Sequence, residues 1–522
     1  MPSEVSSLFT AVEDLKTEIA GLNSVILKNS EREQQYVSEI EWLKEALGKM
    51  KRDRFGSRKE RWESEEQGLL LFNEAEVEAA KAESPESEED DEEVAVKGFN
   101  RKRGKRSPLP KHLPREIVPV ELPVQERFTE DGQPLKVIGK EVSEKLFFEP
   151  AQIKVIEYHR YRYGVDSGDP IKTAPPVPSI IPKGIVTPSL LADIVIKKYA
   201  DGLPLYRQEE IWERHEIYLS RSSMGRWVVQ AAAACMPIWN ALQDWLLAEN
   251  YVSADETHIQ VLKEKGRTPE NKSWMWVRAT PARRQPIVLF DYDPHRSGGV
   301  AERLFADYRG FLQADGYSAY NPLEKQDGVI RLGCSMHGRR GFSDADKGAK
   351  AGRGLAAVAL KYYDRLYDIE KNAKKKNLTW PERKALWDVE AVPIWDEMKI
   401  WADKYYGQVP SKSMIGQALH YFIGQYELLR GYLQDGCLEI DNGFAERAIR
   451  KFAIGRNNWM FSDSPEGANA SALFYSFIVT AKLNDVNPYQ AIKTIFERVP
   501  TATTLEDYEE LAKLLLSPDT LL

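Results

Sequence analysis

The strongest constraint on this chain is a change in the period of its hydrophobic pattern at Tyr251. The runs YVSADETHIQVL, SWMWVRAT and PIVLFDY are rich in β-branched and aromatic residues and are separated by turn formers, which predicts three strands. A helix-like AERLFADY follows, then GFLQADGY, then GVIRLGCSMHGRRGF. Three strands, a helix, a strand, and a further strand running into a helix suit an α/β sheet with buried central strands. Asp255 (in ADET) and Asp315 (in ADGY) each end a strand run and enter a turn. Strand-end aspartates are common in turns, so neither alone signals chemistry.

From about Ala345 to Asp435 the strand runs stop and the chain becomes helical and rich in Lys, Trp and Tyr, as an insertion would. The core resumes in Asp441–Phe461, DNGFAERAIRKFAIGRNNWMF. Read as a helix, this stretch puts Ala445, Ala448, Ile449 and Phe452 on one apolar face and Glu446, Arg447, Arg450 and Lys451 on the other. Glu446 then has three readings. It can pair with Arg450 at i, i+4 for about 0.2–0.5 kcal/mol, or it can cap the helix start. The third reading joins it to Asp255 and Asp315, which neighbouring strands would bring together. Three clustered carboxylates repel one another and raise each other's pKa unless cations hold them. Oxygen-only ligands favour Mg²⁺ or Mn²⁺. Two such ions activate an attacking oxygen and stabilise a leaving one at phosphorus.

With 522 residues the chain is too long for one core and divides into several units. Its formal charge is 72 − 80 = −8, which taken whole argues against a simple polyanion binder. The charge is nonetheless segregated: Glu83 to Glu93 holds eight acids in eleven residues, and Lys97 to Arg115 holds eight bases and no acid. Cys235, Cys334 and Cys437 lie far apart, which fits a reduced cytosolic protein without a disulfide framework. The start lacks a basic region followed by an apolar core, so no signal peptide is expected. The apolar run Ala231 to Trp239 is far shorter than the roughly 20 residues of a membrane span. No Gly-Lys is followed by Ser or Thr, so a phosphate-loop ATPase is unsupported.

Ahead of the core, Leu8, Val12, Leu15, Ile19, Leu22, Ile26, Tyr36, Ile40, Leu43, Leu47 and Met50 keep one heptad frame, with Asn29 and Glu33 at polar positions inside it. This predicts a coiled coil that pairs chains into a homodimer or higher oligomer; the alternative is a long helix packed on its own protein. The acidic run that follows cannot support packing. In the basic run FNRKRGKRSPLPKHLPR, Arg101, Lys102, Arg103, Lys105 and Arg106 can track a phosphate backbone or a minor groove, or pair loosely with the acids beside them. Between Glu116 and Asp169, KVIGKEV, EKLFFEP and QIKVIEYHRYRYGV suggest a small β-rich module. The stretch TPSLLADIVIKKYADGLPLYRQEEIWERHEIYLSRSSMGRWVVQAAAA then reads as amphipathic helices, the last starting at Ser220 or Ser222. These form a helix-turn-helix with Arg221 and Arg226 toward DNA, or a structural helical unit.

Several motifs together resemble the large transposase of the insertion-sequence 66 family: RDRFGSRKE, LPKHLPREI, IGKEVSEKLFFEPAQIKVIEYHR, ADGLPLYRQEEIWER, ADETHIQV, LQADGYSAY, CSMHGRRGF and ERAIRKFAIGRNNWMFSDSPEGA. The resemblance implies an α/β, ribonuclease-H-like catalytic core with an all-helical insertion before its last acid. The division it implies is a coiled coil over 1–60, a charged linker over 61–107, the β-rich module over 108–185 and a helical, helix-turn-helix-like region over 186–240. The first part of the core follows over 241–344, the insertion over 345–435, the last part of the core over 436–490 and C-terminal helices over 491–522. Carried over by motif, the acidic triad is Asp255, Asp315 and Glu446, holding two Mg²⁺ or Mn²⁺ ions.

The implied reaction is nicking at transposon ends and transfer of the freed 3′ hydroxyl into target DNA. The partners are double-stranded DNA, at both ends and target, and small accessory proteins of the same element. The implied place is the bacterial cytoplasm, on the nucleoid and away from membranes. Arg339, Arg340, Arg447, Arg450, Lys451 and Arg456 would meet DNA, the last four near the scissile phosphate. Cys334 and His337 match a C-x-x-H motif of these cores; one Cys and one His are too few for a closed zinc site, and His337 stands near the active site or as a buried structural histidine. The family's β-rich module usually carries zinc-ribbon cysteine pairs, whereas the corresponding ERFTEDGQPL and YRYGVDSG have none, so no zinc is expected. That departure leaves two rivals: a non-catalytic DNA-binding derivative, and a structure-specific nuclease of the same fold.

Overall fold

The structure is a computed structural model that describes residues 153–159, 162–163, 172–173, 176–282, 284–348 and 354–521. The heptad segment, the acidic linker, the basic run with Arg101, Lys102, Arg103, Lys105 and Arg106, and most of the β-rich module lie outside the described residues. Of that module one antiparallel pair is described, Arg162–Tyr163 (β1) with Lys172–Thr173 (β2), in register Arg162↔Thr173. This pair belongs to a different compact unit from Val177–Leu522.

The larger unit opens with three helices. Pro188–Tyr199 (α1) starts where Thr187 accepts the amide of Leu190 and proline fills the first turn. Leu205–Glu213 (α2) follows, and then Arg221–Leu247 (α3), which Ser220 caps by accepting the amide of Ser223 at 3.2 Å. Leu191, Ile194, Met224 and Ile238 are buried in the same core as the sheet residues Val252 and Leu289. These helices therefore pack as part of the sheet's own core.

Tyr251–Gln260 (β3), Lys272–Ala279 (β4) and Val288–Asp293 (β5) form an antiparallel meander. Gly298–Leu304 (α4) leads to Gly310–Gln313 (β6), and a 3₁₀ segment, Ser318–Lys325, leads to Val329–Leu332 (β7). The sheet order is β5-β4-β3-β6-β7, with β6 parallel to both β3 and β7. The architecture is a mixed α/β fold on a five-stranded mixed sheet, with strands and helices in the order the hydrophobic pattern predicts. In β4 Met275, Trp276, Val277, Arg278 and Ala279 are all buried, as they must be in a strand covered on both faces. Gly310 has φ +137°, and a side chain there would collide with the carbonyl of Asn250, so glycine lets β6 close up against β3.

The chain continues as Ser335–Gly348 (α5), Leu355–Lys375 (α6), Trp380–Tyr406 (α7) and Met414–Arg430 (α8). These helices build a second core of Tyr363, Trp387, Trp395, Phe422 and Leu429, which reaches the sheet through Leu332 and Tyr251. Trp395 stacks on Phe422 at 6.2 Å, and Trp387 meets Tyr432 edge-on at 4.9 Å. Trp387 and Trp395 are fully buried in this core and Trp401 packs against it, whereas Trp380 is exposed. Gly443–Trp459 (α9), Pro465–Leu483 (α10), Pro488–Arg498 (α11) and Leu505–Lys513 (α12) complete the unit. No helix among the described residues is long and apolar enough to cross a membrane.

Helix α10 also closes the edge of the sheet. An edge strand leaves every second amide and carbonyl unpaired. On β5 the amides of Val288 and Phe290 donate instead to Thr480 Oγ1 (3.0 Å) and Ser476 Oγ (2.8 Å), and Thr480 returns its proton to the Val288 carbonyl at 3.1 Å. Four residues of helix rise about 6.0 Å, close to the roughly 6.7 Å of two strand residues, so hydroxyls at i and i+4 meet alternate amides. Thr480→Val keeps the side chain's shape but leaves a buried amide unpaired, and Ser476→Ala does the same for Phe290. Each should lower the unfolding free energy by about 1–3 kcal/mol in urea titrations. A loss near zero for both would mean that β5 does not depend on the helix.

Candidate active site

Strand pairing determines where the two aspartates lie. Parallel pairing of β3 and β6 runs Tyr251↔Phe311, Val252↔Leu312 and Ser253↔Gln313. Continued two residues on each strand, 253 + 2 and 313 + 2, it sets Asp255 opposite Asp315. Asp255 does not end its strand as the sequence suggests: it lies in the middle of β3, paired with Val277 of β4, whereas Asp315 lies two residues past the end of the neighbouring parallel β6. Each carboxylate is tied at one oxygen to its own backbone: Asp255 Oδ1 accepts the amide of Glu256 at 2.8 Å, and Asp315 Oδ1 accepts that of Tyr317 at 3.0 Å. The second oxygen of each accepts no hydrogen bond from the described residues.

Helix α9 supplies the third acid. Its apolar face is the one the sequence spacing predicts, with Ala445, Ala448, Ile449 and Phe452 buried, and Phe452 meets Phe290 at 6.2 Å and Tyr475 at 5.2 Å. Asn442 stands at the N-cap, but its side chain makes no capping bond. Its amide nitrogen donates instead to the carbonyl of Ala254, the residue before Asp255, at 2.6 Å, while its backbone N–H donates to Cys334 Sγ at 3.3 Å. One residue thus ties the start of α9 to β3 and to the start of α5. Glu446 follows in the first turn, where the helix dipole favours a negative charge. Its Oε1 accepts the thiol of Cys334 at 3.7 Å and lies 3.5 Å from His337 Nδ1.

The charges of these acids act on Asp255. Asp255 is pushed well above the usual carboxylate range, first by burial, then by the charges of Glu256 and Glu446, with Asp315 adding to them. Glu256 is a fourth carboxylate in the cluster. It is also raised, chiefly by burial, but both its oxygens are taken: Arg296 Nε donates to Oε1 at 2.7 Å and Tyr320 to Oε2 at 2.5 Å. Arg296 is itself held between the rings of Tyr317 (3.6 Å) and Trp274 (4.7 Å). Of the four acids, Glu256 is therefore neutralised within the protein, whereas Asp255 and Asp315 each keep an oxygen without a hydrogen bond from the described residues.

The family model described as "Transposase IS66 family" matches residues 183–470, more than half of the 522-residue chain and the whole of this site. The chain belongs to this family. Two further models match outside that span, "Transposase C of IS166 homeodomain" over residues 42–118 and "IS66 C-terminal element" over residues 476–512. Among curated relatives from Sinorhizobium fredii (strain NBRC 101917 / NGR234), the uncharacterized protein y4hP is 29% identical over 432 residues, 80% of this chain and 78% of that one. The uncharacterized protein y4jD is 30% identical over 416 residues, 77% and 80% of the two chains, and y4qI is 29% identical over 530 residues, 96% and 92%.

In this IS66-family chain the basic residues singled out in the sequence take different positions. Arg447 and Arg340 are exposed, and Arg450 is half-buried. Arg339 donates to Asp364 at 3.0 Å. Lys451 is exposed, and partial loss of water around it together with the charge of Lys482 lowers its pKa. Arg456 is turned onto β3, donating to the carbonyl of His258 and to Thr257 Oγ1. Asn442, Glu256 and Arg296 were not singled out. Asn442 carried a local signal, an asparagine at a helix start, but its partner is a backbone carbonyl 188 residues away. Asn442→Ala should lower the unfolding free energy by about 1–3 kcal/mol and speed amide exchange in the first turn of α9. Unchanged exchange at Glu446 would mean that something else anchors the helix.

Proposed function

We propose that this chain is a DNA transposase with a ribonuclease-H-like core, in which Asp255, Asp315 and Glu446 hold two Mg²⁺ or Mn²⁺ ions for nicking at transposon ends and 3′-hydroxyl transfer into target DNA. The observation that carries this reading is the matched position of Asp255 and Asp315 on neighbouring parallel strands, with the charge of Glu446 acting on Asp255. A half-buried cluster of like charges with free carboxylate oxygens is costly alone and suits hard, oxygen-seeking cations. Bound there, two ions supply Lewis acidity to both the entering and the leaving oxygen of an in-line displacement at phosphorus.

The chain's own groups divide the remaining work. Asp255 and Asp315 hold the cluster from the sheet, and Glu446 completes it from α9. Glu256, paired with Arg296 and Tyr320, stays out of the cation set and stiffens the wall beside it. Arg447, Arg450, Lys451, Arg339 and Arg340 meet DNA phosphates, and Arg456, tied to β3, orients the exposed face of α9 near the scissile bond. The basic run Arg101 to Arg106 binds DNA further out. The coiled coil joins chains into a dimer or higher oligomer that holds two ends, with accessory proteins of the same element, on the nucleoid in the cytoplasm. Membership in the Transposase IS66 family supports this reading.

In assays joining a pre-cut end to target DNA with Mg²⁺ or Mn²⁺, Asp255→Ala, Asp315→Ala and Glu446→Ala should each lose about a thousandfold or more, about 4 kcal/mol of barrier, with folding intact. Joining retained by any of the three would contradict the assignment. Cleavage of branched DNA without joining by the unmodified chain would mark a nuclease, and binding without cleavage a regulatory derivative.

A further inference from the structure

A second set of donors meets Glu446 at Oε1. Cys334 directly precedes α5 and His337 lies in its first turn, where the Cys334 carbonyl accepts the His337 amide at 3.2 Å. That turn aims the sulfur and the ring at one carboxylate oxygen, and Cys334 Sγ, His337 Nδ1 and a Glu446 oxygen all lie within 4.8 Å of one another. His337 Nδ1 is buried and has no hydrogen-bond partner, so the nitrogen aimed at the cluster is unsatisfied.

We propose that Cys334, His337 and Glu446 form an open, three-donor zinc site that shares Glu446 with the acidic cluster, so that zinc and the hard ions compete for this carboxylate. The proposal deepens the strand-transfer reading and rests on it for the competition alone.

The separations fit. Zinc bonds of about 2.3 Å to sulfur, about 2.0 Å to nitrogen and about 2.1 Å to oxygen give tetrahedral edges of roughly 3.6 Å for S···O and roughly 3.4 Å for N···O. The observed distances are 3.7 Å from Cys334 Sγ and 3.5 Å from His337 Nδ1 to Glu446 Oε1. A mixed sulfur, nitrogen and oxygen set prefers zinc, whereas Asp255 and Asp315 offer oxygen alone. Two donors in C-x-x-H are too few for a closed site, but three protein donors with a fourth position open make an open one. The Asn442 amide on Cys334 Sγ is the outer support that a metal thiolate uses. Without metal the Cys334 thiol donates to Glu446 at 3.7 Å. On zinc binding the S–H bond breaks, its proton leaves to solvent, and a zinc–sulfur bond replaces it.

Cobalt is the probe. The metal-free full-length chain titrated with Co²⁺ should bind one equivalent with a sulfur-to-cobalt charge-transfer band, and Zn²⁺ should bleach it. Cys334→Ser should abolish the band, and His337→Gln, a change at a half-buried position, should weaken zinc binding by about tenfold or more. Asp315→Asn, outside the trio, should keep the band. No band, or a band that survives Cys334→Ser, overturns the site. A band that forms while Mn²⁺-dependent joining ignores stoichiometric zinc overturns the sharing of Glu446. A chain that fails to join DNA under any condition counts against the strand-transfer reading and leaves the cobalt titration interpretable.

Discussion

The hydrogen bond from the Asn442 side chain to the carbonyl of Ala254 is the contact on which the site depends. It spans two parts of the chain that a long helical insertion separates, and it acts one residue before Asp255 and four before Glu446. The same residue gives its backbone N–H to Cys334, which brings the start of α5 into the same junction. Helix α9, strand β3 and helix α5 thus share one polar anchor. With that anchor in place, the first turn of α9, which carries Glu446, is fixed against β3 one residue before Asp255, and the repulsion among the acids is borne by the fold.

Two packing solutions keep this junction rigid. The insertion closes the gap between β7 and α9 with an aromatic core of its own, so its length adds little looseness, since loop-closure cost grows slowly with length. A buried ion pair, Arg383 with Glu370 at 2.6 Å and with Glu439 at 3.2 Å, fixes the base of that core next to the segment leading into Asn442. On the far side of the sheet α10 covers the β5 edge with hydroxyls, so the meander that carries Asp255 has no exposed edge there. The acids sit where the sheet, the insertion and α9 meet, and each of the three is braced separately.

Much of this was legible in the sequence. The change of period at Tyr251 marked the succession of strands and helices along the chain, and i, i+3, i+4, i+7 spacing marked the buried face of α9. Asp315 stood out because it ends a strand run; Asp255 read the same way, yet the strand continues through it to Gln260 because β4 pairs with that whole length. Their adjacency was a matter of pairing, which one-residue slips of register would undo, and no local pattern encodes that. Glu256 escaped notice because alternation assigns it to the face opposite Asp255, and only the fold brings Tyr320 and Arg296 to it. Arg456 read as a free phosphate contact because its partner is a backbone carbonyl, invisible to composition. Cys334 and His337 stood out as a motif, but their relation to Glu446 depends on a contact across 112 residues.

The central claim is that Asp255, Asp315 and Glu446 converge to hold a pair of hard cations. Anomalous diffraction from crystals of the full chain grown with Mn²⁺ and an end-sequence DNA tests it directly. Two manganese peaks about 3.5–4 Å apart, with Asp255 and Asp315 carboxylates on them and Glu446 in reach of one, is the predicted result. Manganese bound elsewhere, with Glu446 turned away from Asp255, would contradict it.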